Sequence, residues 1–254
     1  MFKFMLPMLL IVLCEQGLAQ ERFIVTVTEY VRGNFSNTVG RCPATIITDR
    51  HVLTTAACAT PTNDSFSLGI RINFDFGGGA YGSTEVPAER AFIHPDYEGD
   101  IYSNNVAVVL VDGKFDSISL PPRTLGSIQS NSTTCTLFGF GGAALYPETV
   151  EVVPYTPANC YSNRSQAYCS EHVPLTRACS ASVGSPLVCN PQSVDGILLQ
   201  TGCQEESPGR YLQPYHSVDE FREWIELVSG AVLVNQIPTV LLLSALVIGL
   251  RNLV

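Results

Sequence analysis

Short runs of β-branched and aromatic residues recur along the chain: Phe23–Thr28, Ala44–Thr48, Phe66–Asn73, Val106–Val111, Thr134–Phe138 and Gly196–Gln200. Clusters of Gly, Pro, Asn and Ser separate them. Many short strands broken by turn residues predict an all-β sandwich or a pair of barrels. One stretch carries the helical period instead. Over Val218–Leu227 and the residue after it, Val218, Phe221, Trp224, Ile225 and Val228 share one face, with Ser217 as the expected N-cap and acidic residues in the first turn. The glycine run Phe76-Gly-Gly-Gly-Ala-Tyr81 is followed by no helical pattern, so it reads as a flexible connection and not as a phosphate loop. No internal repeat is present.

Two further apolar runs lie at the ends and have no amphipathic period. Residues 1–19 read as a secretory signal peptide: Lys3, an apolar stretch Phe4–Leu13, then Gly17-Leu18-Ala19 as the cleavage site. The stretch is about half the roughly 20 residues that a membrane-spanning helix needs. At the other end, residues 230–254 form a hydrophobic tail that offers two readings. Small residues at Ser229, Gly230 and Ala231, a short spacer and the apolar run Thr239–Leu250 are the parts of a GPI-attachment signal, with Ser229 or Gly230 as the attachment residue. The rival is a single transmembrane helix, Ala231–Leu250, with Arg251 on the cytosolic side. Either way the tail is expected to meet a membrane, and the folded domain is residues 20–229.

Charge and cysteine content sharpen this picture. The 254 residues carry a formal net charge of −9, and only two of them are lysines. Residues 20–228 hold twelve basic and twenty-two acidic side chains, a balance of −10. That excludes the basic footprint a nucleic-acid partner requires. Nine cysteines are too many for a reduced cytosolic protein. Cys14 leaves with the signal peptide, so eight remain, an even number that suits a complete disulfide framework with 105 possible pairings. Four N-glycosylation sequons begin at Asn34, Asn63, Asn131 and Asn163. The expected address is the extracellular face of the plasma membrane or, failing attachment, the medium. No compact Cys/His spacing suggests a metal site, and no cofactor is implied. The acidic Asp96, Glu98 and Asp100 lack the spacing and glycine of an EF-hand and read as a solvated loop.

Three segments carry a resemblance. Val52-Leu-Thr-Thr-Ala-Ala-Cys58 resembles the V-L-T-A-A-H-C segment of chymotrypsin/trypsin-like serine proteases (the peptidase S1 fold). Phe92-Ile-His-Pro-Asp-Tyr97 followed by Asn104-Asn-Val-Ala-Val-Val-Leu110 is similar to H-P-x-Y … N-D-I-A-L-L-x-L. Cys179-Ser-Ala-Ser-Val-Gly-Ser-Pro-Leu-Val-Cys189 resembles C-x-G-D-S-G-G-P-L-V-C with the same cysteine spacing. Cys135 ahead of Gly139-Phe-Gly141, Gly202-Cys203, and Pro208-Gly-Arg-Tyr211 extend the match over about residues 23–228. The resemblance implies an all-β fold of two six-stranded antiparallel barrels, about residues 22–118 and 119–216, with a C-terminal helix. It also implies the disulfides Cys42–Cys58, Cys135–Cys189, Cys160–Cys169 and Cys179–Cys203.

The family's chemistry needs a serine nucleophile, a histidine to take its proton and an aspartate to orient that histidine. The matching positions here are Val183, Ala57 and Asn105. Valine offers no nucleophilic atom, alanine accepts no proton, and an asparagine carries no charge for an imidazolium. The surrounding parts are altered as well. Ser182 stands where an aspartate pairs with the newly cut N-terminus, and Ala181 where a glycine offers an oxyanion-hole N–H. Arg177 takes the place of the specificity-pocket base, and Leu199, Gln200 and Thr201 stand near the missing S-W-G. Arg22-Phe23-Ile24-Val25 is similar to an activation junction with one extra residue.

Among the histidines, His51 takes a buried, aromatic-like position and His94 belongs to the H-P-x-Y turn. His172 and His216 read as loop residues, with a relocated general base as the alternative. The resemblance therefore implies a catalytically inactive serine protease homologue, a binding or regulatory cofactor or decoy. Its partner would be an extracellular protein, such as an active protease or its substrate. The alternatives are a hydrolase with relocated catalytic residues and a structural cell-surface glycoprotein.

Overall fold

The computed structural model describes residues 22–230, except 33, 76–80, 117–118, 130–132, 142–143, 155–167 and 173–175. The signal-peptide region 1–19, tail residues 231–254, the sequons at Asn131 and Asn163, and Cys160 lie outside the described residues. Among the described residues no helix is long and apolar enough to cross a membrane.

Six antiparallel strands close the first barrel in the order β1-β2-β3-β6-β5-β4. They are β1 (Ile24–Val31), β2 (Asn34–Ile46), β3 (His51–Thr54), β4 (Phe66–Asp75), β5 (Tyr81–Ile93) and β6 (Ala107–Val111). The two-residue period of a strand decides which side chains go where. On β6, Ala107, Val109 and Val111 point into the barrel with Val25, Val27, Ile46, Val52 and Ile70. Val106 and Val108, together with Leu53 of β3, face the other way and form the seam with the second barrel. Both faces of β6 are thus buried, which is why its sequence is an unbroken apolar run.

The second barrel follows β7 (Thr124–Leu125). It comprises β8 (Thr133–Gly141), β9 (Ala144–Pro154), β10 (Tyr168–His172), β11 (Pro186–Val188), β13 (Gly196–Leu198) and β15 (Arg210–Ser217). The β10–β15 pairing closes it, from Tyr168↔Tyr215 to His172↔Tyr211. β12 (Ser193–Val194) pairs in parallel with β7, and β14 (Gln204–Ser207) forms a hairpin on β15. Leu137, Val152, Leu187, Leu198 and Tyr215 fill this barrel. Burying each such aliphatic side chain contributes on the order of 1.5–3 kcal/mol.

After β15 comes a 3-10 turn, Val218–Phe221, that runs into an α-helix, Arg222–Ser229. Val218, Phe221 and Ile225 are buried against Leu53, Val106 and Val108 at the seam, with Trp224 and Val228 partly buried beside them. That is the face the periodicity predicts. Ser217, the last residue of β15, stands at the N-cap position of the 3-10 turn as expected, but its hydroxyl makes no capping bond and instead accepts the Ile128 N–H at 3.4 Å. Gly230 terminates the helix at φ +73°, its N–H donating to the Glu226 carbonyl. The left-handed backbone there suits glycine.

Three disulfides join the described residues: Cys42–Cys58, Cys135–Cys189 and Cys179–Cys203. Ile24 and Val25, in the stretch similar to an activation junction, lie in the first barrel, as the strand pattern over Phe23–Thr28 predicts. They pair with Thr45 and Ala44 in β1, while Phe23 is fully buried and its carbonyl accepts the Ile46 N–H at 2.8 Å. Pro208 and Gly209 turn the β14–β15 hairpin, and Tyr215 is fully buried in the barrel.

Candidate functional site

The three residues that the motifs match to the triad, Ala57, Asn105 and Val183, come together where the barrels meet. Ala57 lies in the one-turn helix Ala56–Ala59, held by the Cys42–Cys58 bridge. Asn105 is fully buried just before β6, and its Oδ1 accepts the Ala57 N–H at 3.0 Å. Its Nδ2 donates to the Ile101 carbonyl at 2.8 Å. A carboxylate could make the first of these bonds but not the second, so the amide is matched to its surroundings. Val183 lies in the tight turn after Ala181, and its carbonyl is 3.8 Å from Cys58 Sγ. The fold therefore brings the Ala57, Asn105 and Val183 segments together, and the groups their side chains present are a methyl, an amide and an isopropyl.

The glycine that follows is irreplaceable here. Gly184 has φ +89°, and a Cβ would lie 2.6 Å from the Pro43 carbonyl oxygen. This contact presses the Ala181–Ser185 turn against β2 of the other barrel. Ser182 is half-buried, and its carbonyl accepts the Ser185 N–H at 3.0 Å. The Ser185 hydroxyl is buried with no hydrogen-bond partner among the described residues, so no histidine reaches it.

The backbone donors of this turn are engaged internally. The Ala181 N–H donates to the Ala178 carbonyl at 2.9 Å, inside the 3-10 turn Arg177–Ser180. The Val183 N–H donates to Thr201 Oγ1 at 3.0 Å. Next to Thr201, Gln200 Oε1 accepts the Tyr102 hydroxyl at 2.6 Å, a bond that spans the two barrels. Arg177 is solvent-exposed on its turn.

A second polar cluster lies inside the second barrel, where sequence reasoning expects only loops. His172 is 5% exposed on β10, and Ser170 and Gln213 are fully buried. His172 Nε2 lies 2.9 Å from Ser170 Oγ and 3.0 Å from Gln213 Oε1, while its Nδ1 is 3.0 Å from Thr176 Oγ1. The proton positions follow from the partners. Gln213 Nε2 donates to the Ala178 carbonyl at 2.9 Å, so Oε1 is the atom facing His172 and Tyr215. An amide oxygen only accepts, so His172 carries its proton on Nε2 and accepts at Nδ1 from Thr176. That tautomer cannot take a proton from Ser170. Burial holds the His172 pKa below the ordinary histidine value, against the opposing effect of the hydrogen bond it donates to Gln213. The Ser–His contact is a neutral, buried structural pair.

The remaining histidines are structural too. His216 is 1% exposed on β15, its ring 5.1 Å from Phe221. His172 and His216 are thus strand residues, a correction to the loop expectation. His51 is half-buried and bonds Thr48 Oγ1 through Nδ1 at 2.8 Å. His94 packs against Trp224 at 5.0 Å and Phe221 at 5.4 Å, pinning the H-P-x-Y turn to the C-terminal helix. Cys179 and Cys203 lie near His172 but are bonded to each other, which leaves no thiolate for a metal. Asp96, Glu98 and Asp100 are exposed, as a solvated loop would be. Asn63 is exposed, and Asn34 stands at the end of the β1–β2 hairpin opposite Val31. A cavity of about 310 Å³ is lined by Thr124, Gly126, Gln129, Cys189 and Asp195 among others, and none of the triad positions borders it.

The Trypsin family model matches residues 24–225. The chain belongs to the trypsin family. Solved structures agree on the fold. A chain described as GrC is 18% identical, with a TM-score of 0.60, covering 84% of this chain and 96% of that one. Kallikrein-related peptidase 10 is 18% identical with a TM-score of 0.62, covering 83% and 96%. Its complex with Zn2+ is 17% identical with a TM-score of 0.63 over the same shares. At these identities the likeness speaks for the fold alone. The three disulfides suit a fold of this kind in an oxidising compartment.

Proposed function

We propose that this trypsin-family chain is a non-catalytic homologue of the secretory pathway that acts by binding an extracellular protein, an active protease or one of its substrates. One observation carries the reading: Ala57, Asn105 and Val183 occupy the triad positions in a barrel pair that keeps its disulfides and its buried seam. In the family template, loss of the triad leaves only the weak residual catalysis of the oxyanion hole and binding. A hydrolase with relocated residues is disfavoured by the tautomer of His172 and by the burial of Ser170. The anchor belongs to the same reading: the hydrophobic tail either directs a GPI anchor onto Ser229 or Gly230 and is removed, or holds the domain at the membrane as a single transmembrane helix.

Purified protein should show no hydrolysis of peptide substrates and no labelling by a fluorophosphonate probe. Stoichiometric labelling would sink the proposal. Affinity capture from native tissue with mass spectrometry should return a protease or a protease substrate, and a surface glycoprotein with a purely structural role would return neither. Phosphatidylinositol-specific phospholipase should release the protein from cells, whereas retention would assign the tail as a transmembrane helix.

A further inference from the structure

We propose that the catalytic centre is closed a second time, in its backbone: both N–H groups at the oxyanion-hole positions are consumed by internal acceptors, and Thr201 is the residue that closes the one at Val183. This deepens the non-catalytic reading and stands on different atoms from it.

An oxyanion hole works only if its donors point at empty space, ready for charge that develops in the reaction. Here the Ala181 N–H closes the 3-10 turn onto Ala178 O at 2.9 Å, and the Val183 N–H is held by the Thr201 hydroxyl at 3.0 Å. The segment carrying Thr201 is fixed at four consecutive residues. Gln200 is latched to Tyr102 across the seam at 2.6 Å, and Thr201 holds Val183. The Gly202 N–H donates to the Ala181 carbonyl at 3.2 Å, and Cys203 is bridged to Cys179. The stapled segment fixes where Thr201 stands, and the exposed Thr201 side chain is the single group that must rotate to release Val183. Behind the turn, Gln213 fills the space with its amide, donating to Ala178 O and accepting from Tyr215. The Ala178–Ala181 backbone is thus held from both sides. Removing one oxyanion donor costs about 10²–10³ in rate, and here two are engaged.

The experiment has two parts. Amide hydrogen exchange should find the Val183 N–H protected in the full chain. T201V, which keeps the shape and removes the acceptor, should speed its exchange about tenfold or more, and T201S should restore protection. Exchange of Val183 at the rate of an open loop amide, or no response to T201V, would overturn the proposal. In the second part, A57H/N105D/V183S returns the three triad groups, with circular dichroism confirming its fold. Its fluorophosphonate labelling should remain at least about 10²-fold slower than that of an active trypsin-family enzyme. Labelling at the active enzyme's rate would overturn the proposal, whereas labelling of the unmodified chain would overturn the non-catalytic reading instead.

Discussion

At Asn105 the difference between an amide and a carboxylate can be weighed directly. Its Nδ2 donates to a backbone carbonyl that a carboxylate would face with a lone pair, and the site is fully buried. N105D alone therefore places an unpaired charge in the interior, and removing one partner of a buried charge pair costs about 3–5 kcal/mol in comparable settings. Burial favours the neutral acid, so the folded-state pKa of the new carboxyl rises above its unfolded value of about 3.9. The sign follows: the loss is full at neutral pH and shrinks as pH falls through the raised pKa. Denaturant unfolding at pH 7 and pH 5 should show N105D recovering part of its deficit at the lower pH. An equal deficit at both would mean that the lost hydrogen bond, and not the charge, sets it. Gly184 offers a parallel test. G184A forces a Cβ to 2.6 Å from Pro43 O at a positive φ, so a loss of about 2–4 kcal/mol is expected in the same assay.

At the scale of elements, what could be read in advance followed burial chemistry. β1, β4, β6 and β8 are apolar runs and were legible as strands. β10 was not, because its inward side includes Ser170 and His172, whose partner on β15 is Gln213. A buried polar network looks like a loop to any hydropathy pattern. β5 hides for another reason, since its half-exposed strand alternates Glu85, Pro87 and Glu89 with apolar residues. The triad positions were legible because they sit inside spaced motifs. The Thr201–Val183 bond was not, since it depends on how a loop folds back across the seam.

The β10–β15 network also carries a pH dependence. His172 is held neutral by burial, its pKa below the unfolded value of about 6.5. Its contribution to stability is therefore full above about pH 6.5 and is lost as pH falls from there through the lowered folded pKa. Unfolding free energy should decline below pH 6.5, and H172Q should flatten that decline at a standing cost of about 1–2 kcal/mol. An unchanged slope in H172Q would move the acid sensitivity to other groups.

For the whole molecule, the decisive feature is how the chain enters its first barrel. In an enzyme of this family a new N-terminus must find an internal aspartate, and here Ser182 has no charge to offer. Phe23 is buried and Ile24 is already paired in β1, while Arg22 is exposed beside them. Cutting after Arg22 should accordingly leave the melting temperature within about 1 °C and the hydrogen-exchange pattern of the Ala181–Ser185 turn unchanged. A shift of several degrees would mean that the cut is felt inside the fold.

On the proposed non-catalytic reading, that arrangement would separate this protein from an active protease. A zymogen is stored inert and fires when it is clipped, so its effect has a sharp onset. A chain whose first strand is seated from the start has no such trigger. Its influence on a partner would rise with synthesis and decay with clearance, tracking concentration against affinity. On that reading it would behave as a dose, read continuously, where a zymogen behaves as a switch.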